Sequence, residues 1–311
     1  MITVSKNGSG DFTSINEAVK HAAPYDTIFI KNGIYNERIE ITFPLNLIGE
    51  DSFNTAVEYG MYAQMKPDGE KLGTFRSYTM LVNTDNFSCR NLTVSNNAGF
   101  GSKVGQAIAV YAEGNNIFFE NCRILGHQDT LFTGPLPLKE IEKGGFRGPT
   151  EFAERKTGHH FYKKCYIEGE VDFIFGSAAA YFEDCELFSL NCGNEINGYV
   201  TAASTYSGEP YGYVFNKCRF TGCCPDNSVY LGRPWRDHAQ TVLIGCYIGE
   251  HIRNELFHDW NKPQAHNTIF YALYNCCGKK IDPHKIPPFV RLIGKDRADN
   301  IMEMIKKQFE V

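Results

Sequence analysis

The chain has 311 residues, a net charge of −5 and 42% hydrophobic residues. That is enough apolar material for an extended core, and without a basic block nucleic acid is not an expected partner. No apolar run approaches the roughly 20 residues of a membrane-spanning helix, so no membrane span is expected.

The opening, Met1-Ile-Thr-Val-Ser-Lys-Asn-Gly8, lacks the charged and apolar regions of a signal peptide. This predicts a cytoplasmic protein, or a secreted one if a leader has been removed. Residues 14–23 place Ile15, Ala18, Val19 and Ala22 on one helical face, and Ser14 with Glu17 suits a capping box. Next, a short apolar pattern recurs down the chain: Cys89/Leu92/Val94, Phe119/Cys122/Ile124, Tyr162/Cys165/Ile167, Phe182/Cys185/Leu187, Phe215/Cys218/Phe220 and Leu243/Cys246/Ile248. Phe270/Leu273 reads as a frayed seventh copy, with Leu273 at the middle position. β-branched and aromatic residues dominate these segments, Asn and Gly mark the turns, and helical periodicity is absent. A short β-rich unit recurring at this interval predicts a solenoid. The expected fold is all-β, a right-handed parallel β-helix forming a single domain over residues 1–311. The helix near 14–23 would cover its open N-terminal end, as solenoid caps do.

Two copies of the pattern carry the same acid. Cys122-Arg-Ile124-Leu-Gly126-His-Gln-Asp129 aligns with Cys165-Tyr-Ile167-Glu-Gly169-Glu-Val-Asp172, with Cys, Ile, Gly and Asp at matching offsets. If each copy is one turn, Asp129 and Asp172 face the same way from strands about 4.8 Å apart. Neighbouring carboxylates cannot both ionise freely, so their pKa values separate into an acid and a base or nucleophile. Between them, residues of about 133–156 are rich in Pro, Gly and charge and read as an inserted loop, either functional or a neutral surface addition. The 11 cysteines include no C-x-x-C spacing and mostly recur at one repeat position. They read as buried thiols rather than bridges or zinc ligands. His159-His160 and His258 have no metal-ligand spacing either, so neither metal nor cofactor is expected. A C-terminal tail at about 281–311 contains a second helical stretch, 296–309, with Ile301, Met304, Ile305 and Phe309 on one side. It is expected to cap the C-terminal end, with a partner surface as the alternative.

Several motifs now carry a resemblance. Gly126-His-Gln-Asp-Thr-Leu131, Val171-Asp-Phe-Ile-Phe-Gly-Ser-Ala-Ala179, Tyr230-Leu-Gly-Arg-Pro-Trp235 and Gln106-Ala-Ile-Ala-Val110 resemble the signature segments of pectinesterases, in order, and Gly8–Ala18 resembles that family's opening. The resemblance implies a β-helix that hydrolyses methyl esters of galacturonate in pectin or methylated oligogalacturonides. It implies Asp172 as nucleophile, Asp129 as acid and then base, and Arg233 as the group that ionises and aims Asp172. Gln106 and Gln128 become candidate oxyanion donors, or otherwise stacked amides of a solenoid ladder. Gln128 precedes Asp129 directly, so both reach one site only if the segment bends. Trp235 and Thr74, with Phe175 and Trp260 behind them, are candidate sugar contacts; Trp235 and Phe175 also suit core packing. His127 stands where the family has an aromatic residue and is expected to perturb Asp129. A β-helix esterase on another acyl sugar, a polygalacturonase-like hydrolase and a non-catalytic carbohydrate binder are the competing readings. Oligomeric state is not readable.

Overall fold

The computed structural model describes residues 1–309. Their strands form three parallel sheets of 11, 7 and 9 strands, each coil of the chain adding one strand to each sheet through most of the molecule. This is the right-handed parallel β-helix expected.

The apolar repeat is the inner wall of this coil. Its first positions stack along the 11-stranded sheet, where Cys89 pairs with Phe119, then Tyr162, Phe182, Phe215, Leu243 and Leu273 in turn. Rings of Phe119, Tyr162, Phe182 and Phe215 lie nearly parallel with centroids 5.4, 4.7 and 4.5 Å apart. The last positions, from Val94 through Ile124, Ile167, Leu187 and Phe220 to Ile248, stack along the 9-stranded sheet. Between the two sheets the chain bends on a left-handed residue, Asn91, Asn121, Lys164, Asp184, Lys217, Gly245 or Asn275. Asn adopts this conformation at little cost, and stacked amides help: Asn121 Nδ2 donates to Asn91 Oδ1 at 2.8 Å. The residue after each bend, Leu92 in the first and a cysteine in the other six, turns inward, and all 11 cysteines are free thiols. The pairing also corrects the seventh copy. Leu273 lies opposite Leu243, so it is the first position, and Cys276 after the Asn275 bend is the middle one.

The N-terminal helix, Ile15–His21, buries Ile15, Ala18 and Val19 against the inner core. Ser14 accepts from the Glu17 amide, but the reciprocal half of the capping box is absent. Glu37 instead receives the Ser14 hydroxyl and the Ile15 and Asn16 amides, while Glu17 pairs with Lys20. The C-terminal helix, Lys295–Phe309, is neither an end cap nor a free face. Its buried Ala298, Ile301 and Ile305 pack on Phe161, Tyr181, Val214, Val242 and Ala272. These project outward from the 11-stranded sheet, because their strand neighbours Tyr162, Phe182, Phe215 and Leu243 project inward. Among the described residues, no helix is long and apolar enough to cross a membrane.

Candidate active site

The outer face of the 7-stranded sheet carries the site. Along it Tyr111, Phe132, Phe175 and Ala202 sit in register on successive strands, forming an aromatic floor that drops away at Ala202. Leu131 pairs with Ile174, so Asp129 and Asp172 occupy the same place on adjacent coils. Both have left-handed backbones, with φ of 63° and 51°. That conformation interrupts the alternation of the strand. At Asp172 the register shifts between Val171 and Ile174, so Phe173 and Ile174 both enter the core while the carboxylate stays outside. At Asp129 the regular strand, Leu131–Thr133, starts two residues later, and Gln128 and Asp129 both line the cleft. The bend required for these two neighbours is therefore Asp129 itself. The repeated glycine beside it is a matter of space: a Cβ on Gly169 would stand 2.2 Å from the Cβ of Phe173 and 2.6 Å from the His127 carbonyl oxygen.

Arg233 grips Asp172 with two parallel hydrogen bonds, Nε to Oδ1 at 2.8 Å and Nη2 to Oδ2 at 2.6 Å. Its guanidinium carbon lies 3.9 Å from the ring centroid of Tyr199 and 3.7 Å from that of Trp260. Flat aromatic faces attract a guanidinium and fix its plane. Trp260 thus serves the arginine first, although it also lines the cleft. Burial pushes the Asp172 carboxyl above the ordinary range, and Arg233 opposes that shift without cancelling it. The expected net lowering by Arg233 is thus outweighed by burial. Asp129 is pushed well above the ordinary range, by burial first and the charge of Asp172 second, with Arg233 only partly offsetting. Its carboxyl has no hydrogen-bond partner among the described residues, although its backbone amide donates to the Val171 carbonyl. Of the two, Asp172 is the carboxylate that ionises and Asp129 the one that holds a proton.

The nine residues expected from the sequence to carry catalysis or contact the sugar, Asp129, Asp172, Gln106, Gln128, Arg233, Trp235, Thr74, Phe175 and Trp260, all line this one cleft, of about 380 Å³. Among the described residues, the side-chain amides of Gln106 and Gln128 make no hydrogen bond, so they are not an amide ladder and remain open towards the cleft. Phe175 is buried and Trp235 half-buried. Trp235 packs on Phe75 at 6.4 Å, and Phe175 approaches it edge-on at 5.7 Å. Each is part of the aromatic wall as well as a lining group.

His127 does not line the cleft. Its Nδ1 lies 2.9 Å from Glu170 Oε1, and the other Glu170 oxygen accepts from the Gly101 amide. The expected influence on Asp129 is therefore replaced by a link between coils. His127 and Glu170 occupy the same offset in the aligned repeats, so the two side chains were readable as a stacked hydrogen-bonded pair. Sequence reasoning also missed Phe75, Phe146 and Tyr199. Tyr199 had a signal, since the adjacent Val200 points inward and alternation along the strand places its neighbour outside.

The inserted loop forms one wall. Phe146 packs against Phe75 and Trp235, and Ile141, Glu142 and Gly145 line the cleft beside it. Thr150 secures the loop to the sheet by donating to the buried Glu113 at 2.6 Å, and Arg236 donates to the Lys139 carbonyl. Among the described residues, no group of three or more His, Cys, Asp or Glu side chains is placed to hold a metal ion.

Comparison with known proteins agrees with this architecture. The pectinesterase family model matches residues 1–135 and 152–286. Pectinesterase 31 of Arabidopsis thaliana is 30% identical over 317 aligned residues, covering 97% of this chain and 90% of that protein. Pectin methylesterase PemA from Erwinia chrysanthemi superposes with a TM-score of 0.79 at 28% identity, covering 99% of this chain and 96% of its own. A pectin methylesterase crystallised in complex with a hexasaccharide gives the same TM-score, identity and coverage. Matched by that family model over most of its length, and by a relative aligned nearly end to end, this chain belongs to the pectinesterases, a family of carboxylic ester hydrolases.

Proposed function

We propose that this protein removes methyl esters from galacturonate units of pectin or methylated oligogalacturonides, releasing methanol, with Asp172 as nucleophile and Asp129 as acid and base. The observation that carries this reading is the contrast between two carboxyls in one cleft. Asp172 is aimed and charge-compensated by a two-pronged arginine, and Asp129 is buried without a partner. Contacts of a hexasaccharide with a structural relative make a pectin-derived oligosaccharide the natural occupant.

In this scheme an Asp172 oxygen attacks the ester carbonyl carbon. The carbonyl oxygen takes up negative charge, which the free amides of Gln106 and Gln128 stabilise. The tetrahedral adduct collapses, the C–O bond to the methoxy group breaks, and Asp129 gives its proton to the leaving oxygen to form methanol. The galacturonate acyl group is left on Asp172 as an anhydride. Asp129, now a carboxylate, takes a proton from water, whose oxygen attacks the anhydride carbonyl. Asp172 leaves as a carboxylate, and the product is a free galacturonate carboxyl. Arg233 holds Asp172 in place throughout.

The test is methanol release from methylated trigalacturonate with reducing ends counted alongside. Methanol without new reducing ends is expected. New reducing ends without methanol would replace the esterase with a glycosidic hydrolase.

A further inference from the structure

Residues 138–145 of the inserted loop are all exposed, and in the stretch that follows, up to residue 150, only Phe146 and Thr150 are buried. A segment with so few buried contacts has little stability of its own, so the wall is held by whatever holds these two side chains. Phe146 meets Phe75 edge-on at 5.9 Å and Trp235 at 6.4 Å. The Thr150 hydroxyl donates to Glu113 Oε2 at 2.6 Å and lies 2.5 Å from the Tyr111 hydroxyl. The Tyr111 hydroxyl is itself 3.3 Å from the same carboxylate oxygen. Tyr111 belongs to the aromatic floor, so one buried acid ties floor and wall together. Glu113 also meets the start of the insertion, where a Cβ on Gly134 would stand 2.8 Å from Oε2. Between anchor and ring the chain is pressed onto the floor: a Cβ on Gly148 would stand 2.7 Å from that of Phe75. The loop's ion pair, Arg147 with Glu70, has side chains 53% and 79% exposed, and such pairs contribute little. Thr150 lies in the stretch that the family match passes over, residues 136–151, while Glu113 lies inside the match.

We propose that Glu113 is a positioning residue for substrate binding: through Thr150 it fixes Phe146, and with it the face that Trp235 presents to the sugar. For its substrate this rests on the esterase reading above. Glu113 is absent from the lining of the cleft and touches no reacting atom, so its effect passes through the wall. A loosened wall binds substrate and transition state less well by the same amount, and a loss of that kind appears in KM rather than in kcat. The chain's two tryptophans, Trp235 and Trp260, both line the cleft, so intrinsic fluorescence reports the wall directly.

The test breaks the anchor from either side and then restores it. Thr150→Val removes the hydroxyl at nearly constant size, and Thr150→Ser keeps it. Glu113→Leu removes the acceptor, and Glu113→Gln keeps one acceptor oxygen. Thr150→Val and Glu113→Leu are expected to raise KM for methanol release from methylated trigalacturonate on the order of tenfold, the effect of losing one buried hydrogen bond, with kcat within about threefold of wild type. Their tryptophan emission should shift to the red as Trp235 loses cover, and the serine and glutamine variants should restore both readouts. Wild-type KM and emission in the folded Thr150→Val and Glu113→Leu proteins overturn the proposal. A loss confined to kcat, or a KM rise that the serine and glutamine variants share, overturns it as well. Phe146→Ala keeps the anchor and removes the ring it positions, so it should reproduce the KM rise and the red shift. Wild-type KM in that variant refutes the proposal whether or not the anchor variants fold. If wild type releases no methanol, the esterase reading falls, and the emission shift with its rescue decides the anchor alone.

Discussion

Replacing Arg233 with lysine keeps the charge and removes the fork. In the native protein the arginine makes two charge-assisted hydrogen bonds to Asp172, at 2.8 and 2.6 Å, with side chains only 17% and 11% exposed. An ammonium can retain one of these. Each such bond contributes about 1.5–3 kcal/mol, and the contacts with Tyr199 and Trp260 add about 0.5–2 kcal/mol where desolvated. A loss of about 3 kcal/mol in the transition state corresponds to roughly a 150-fold fall in kcat/KM for methanol release. Arg233→Met should cost more and leave a second signature. Burial raises the Asp172 pKa and Arg233 opposes it, so removing the cation raises it further. Fewer Asp172 side chains are then ionised at a given pH, and the acidic limb of the pH–rate profile moves to higher pH. The assay is kcat/KM against pH for both variants, with thermal melts to confirm folding. An Arg233→Lys enzyme within about threefold of wild type, or an acidic limb unmoved in Arg233→Met, would refute the assigned role of the arginine.

Asp129→Asn should abolish turnover and stabilise the fold. The native carboxyl has its pKa raised well above the unfolded value, so the folded state holds a proton that the unfolded chain has lost, and stability falls as pH rises through that window. Asn resembles the protonated acid, so its melting temperature should exceed wild type by a margin that grows with pH; a constant margin counts against the raised pKa. Gln106→Ala and Gln128→Ala should each lower kcat on the order of 100-fold with little change in KM, and a pure KM effect would reassign them to substrate binding. His127→Phe should leave the alkaline limb in place, because His127 pairs with Glu170 outside the cleft; a displaced limb would restore the expected influence on Asp129.

The parts of the fold legible in the sequence are those where one local arrangement recurs. Each middle coil repeats a bend on a left-handed residue followed by an inward cysteine and an alternating strand, so Cys122, Cys165, Cys185, Cys218 and Cys246 could be aligned by eye. The coils before residue 89 lacked that signal. Leu47 and Val57 sit on successive strands of one coil, but residues 50–54 separate them as a longer turn, and the spacing disappears. The seventh copy was misread by three residues because Phe270 and Leu273 imitate the pattern. In the C-terminal helix the apolar stripe specified a helix but not the surface receiving it, since the outward row from Phe161 to Ala272 is assembled from five separate strands.

The site divides in the same way. Asp129 and Asp172 were legible because stacking carries one offset to one place, and Arg233 came through its motif. The bend that brings Gln128 to the cleft beside Asp129 is a backbone conformation, which residue type alone leaves open. Phe75 and Phe146 come from loops whose paths no periodicity describes. Tyr199 and Trp260 clamp Arg233 from segments about 60 residues apart in the chain, so only the folded coil brings them together.

The central claim is an esterase whose nucleophile is Asp172, and its most direct test is methanol release by wild type beside Asp172→Ala. Methylated trigalacturonate and polymeric pectin serve as substrates. Release by wild type and none by the folded variant is the predicted result, and the ratio between substrates shows whether the loop wall favours short chains. A folded Asp172→Ala protein that still releases methanol at the wild-type rate would contradict the account.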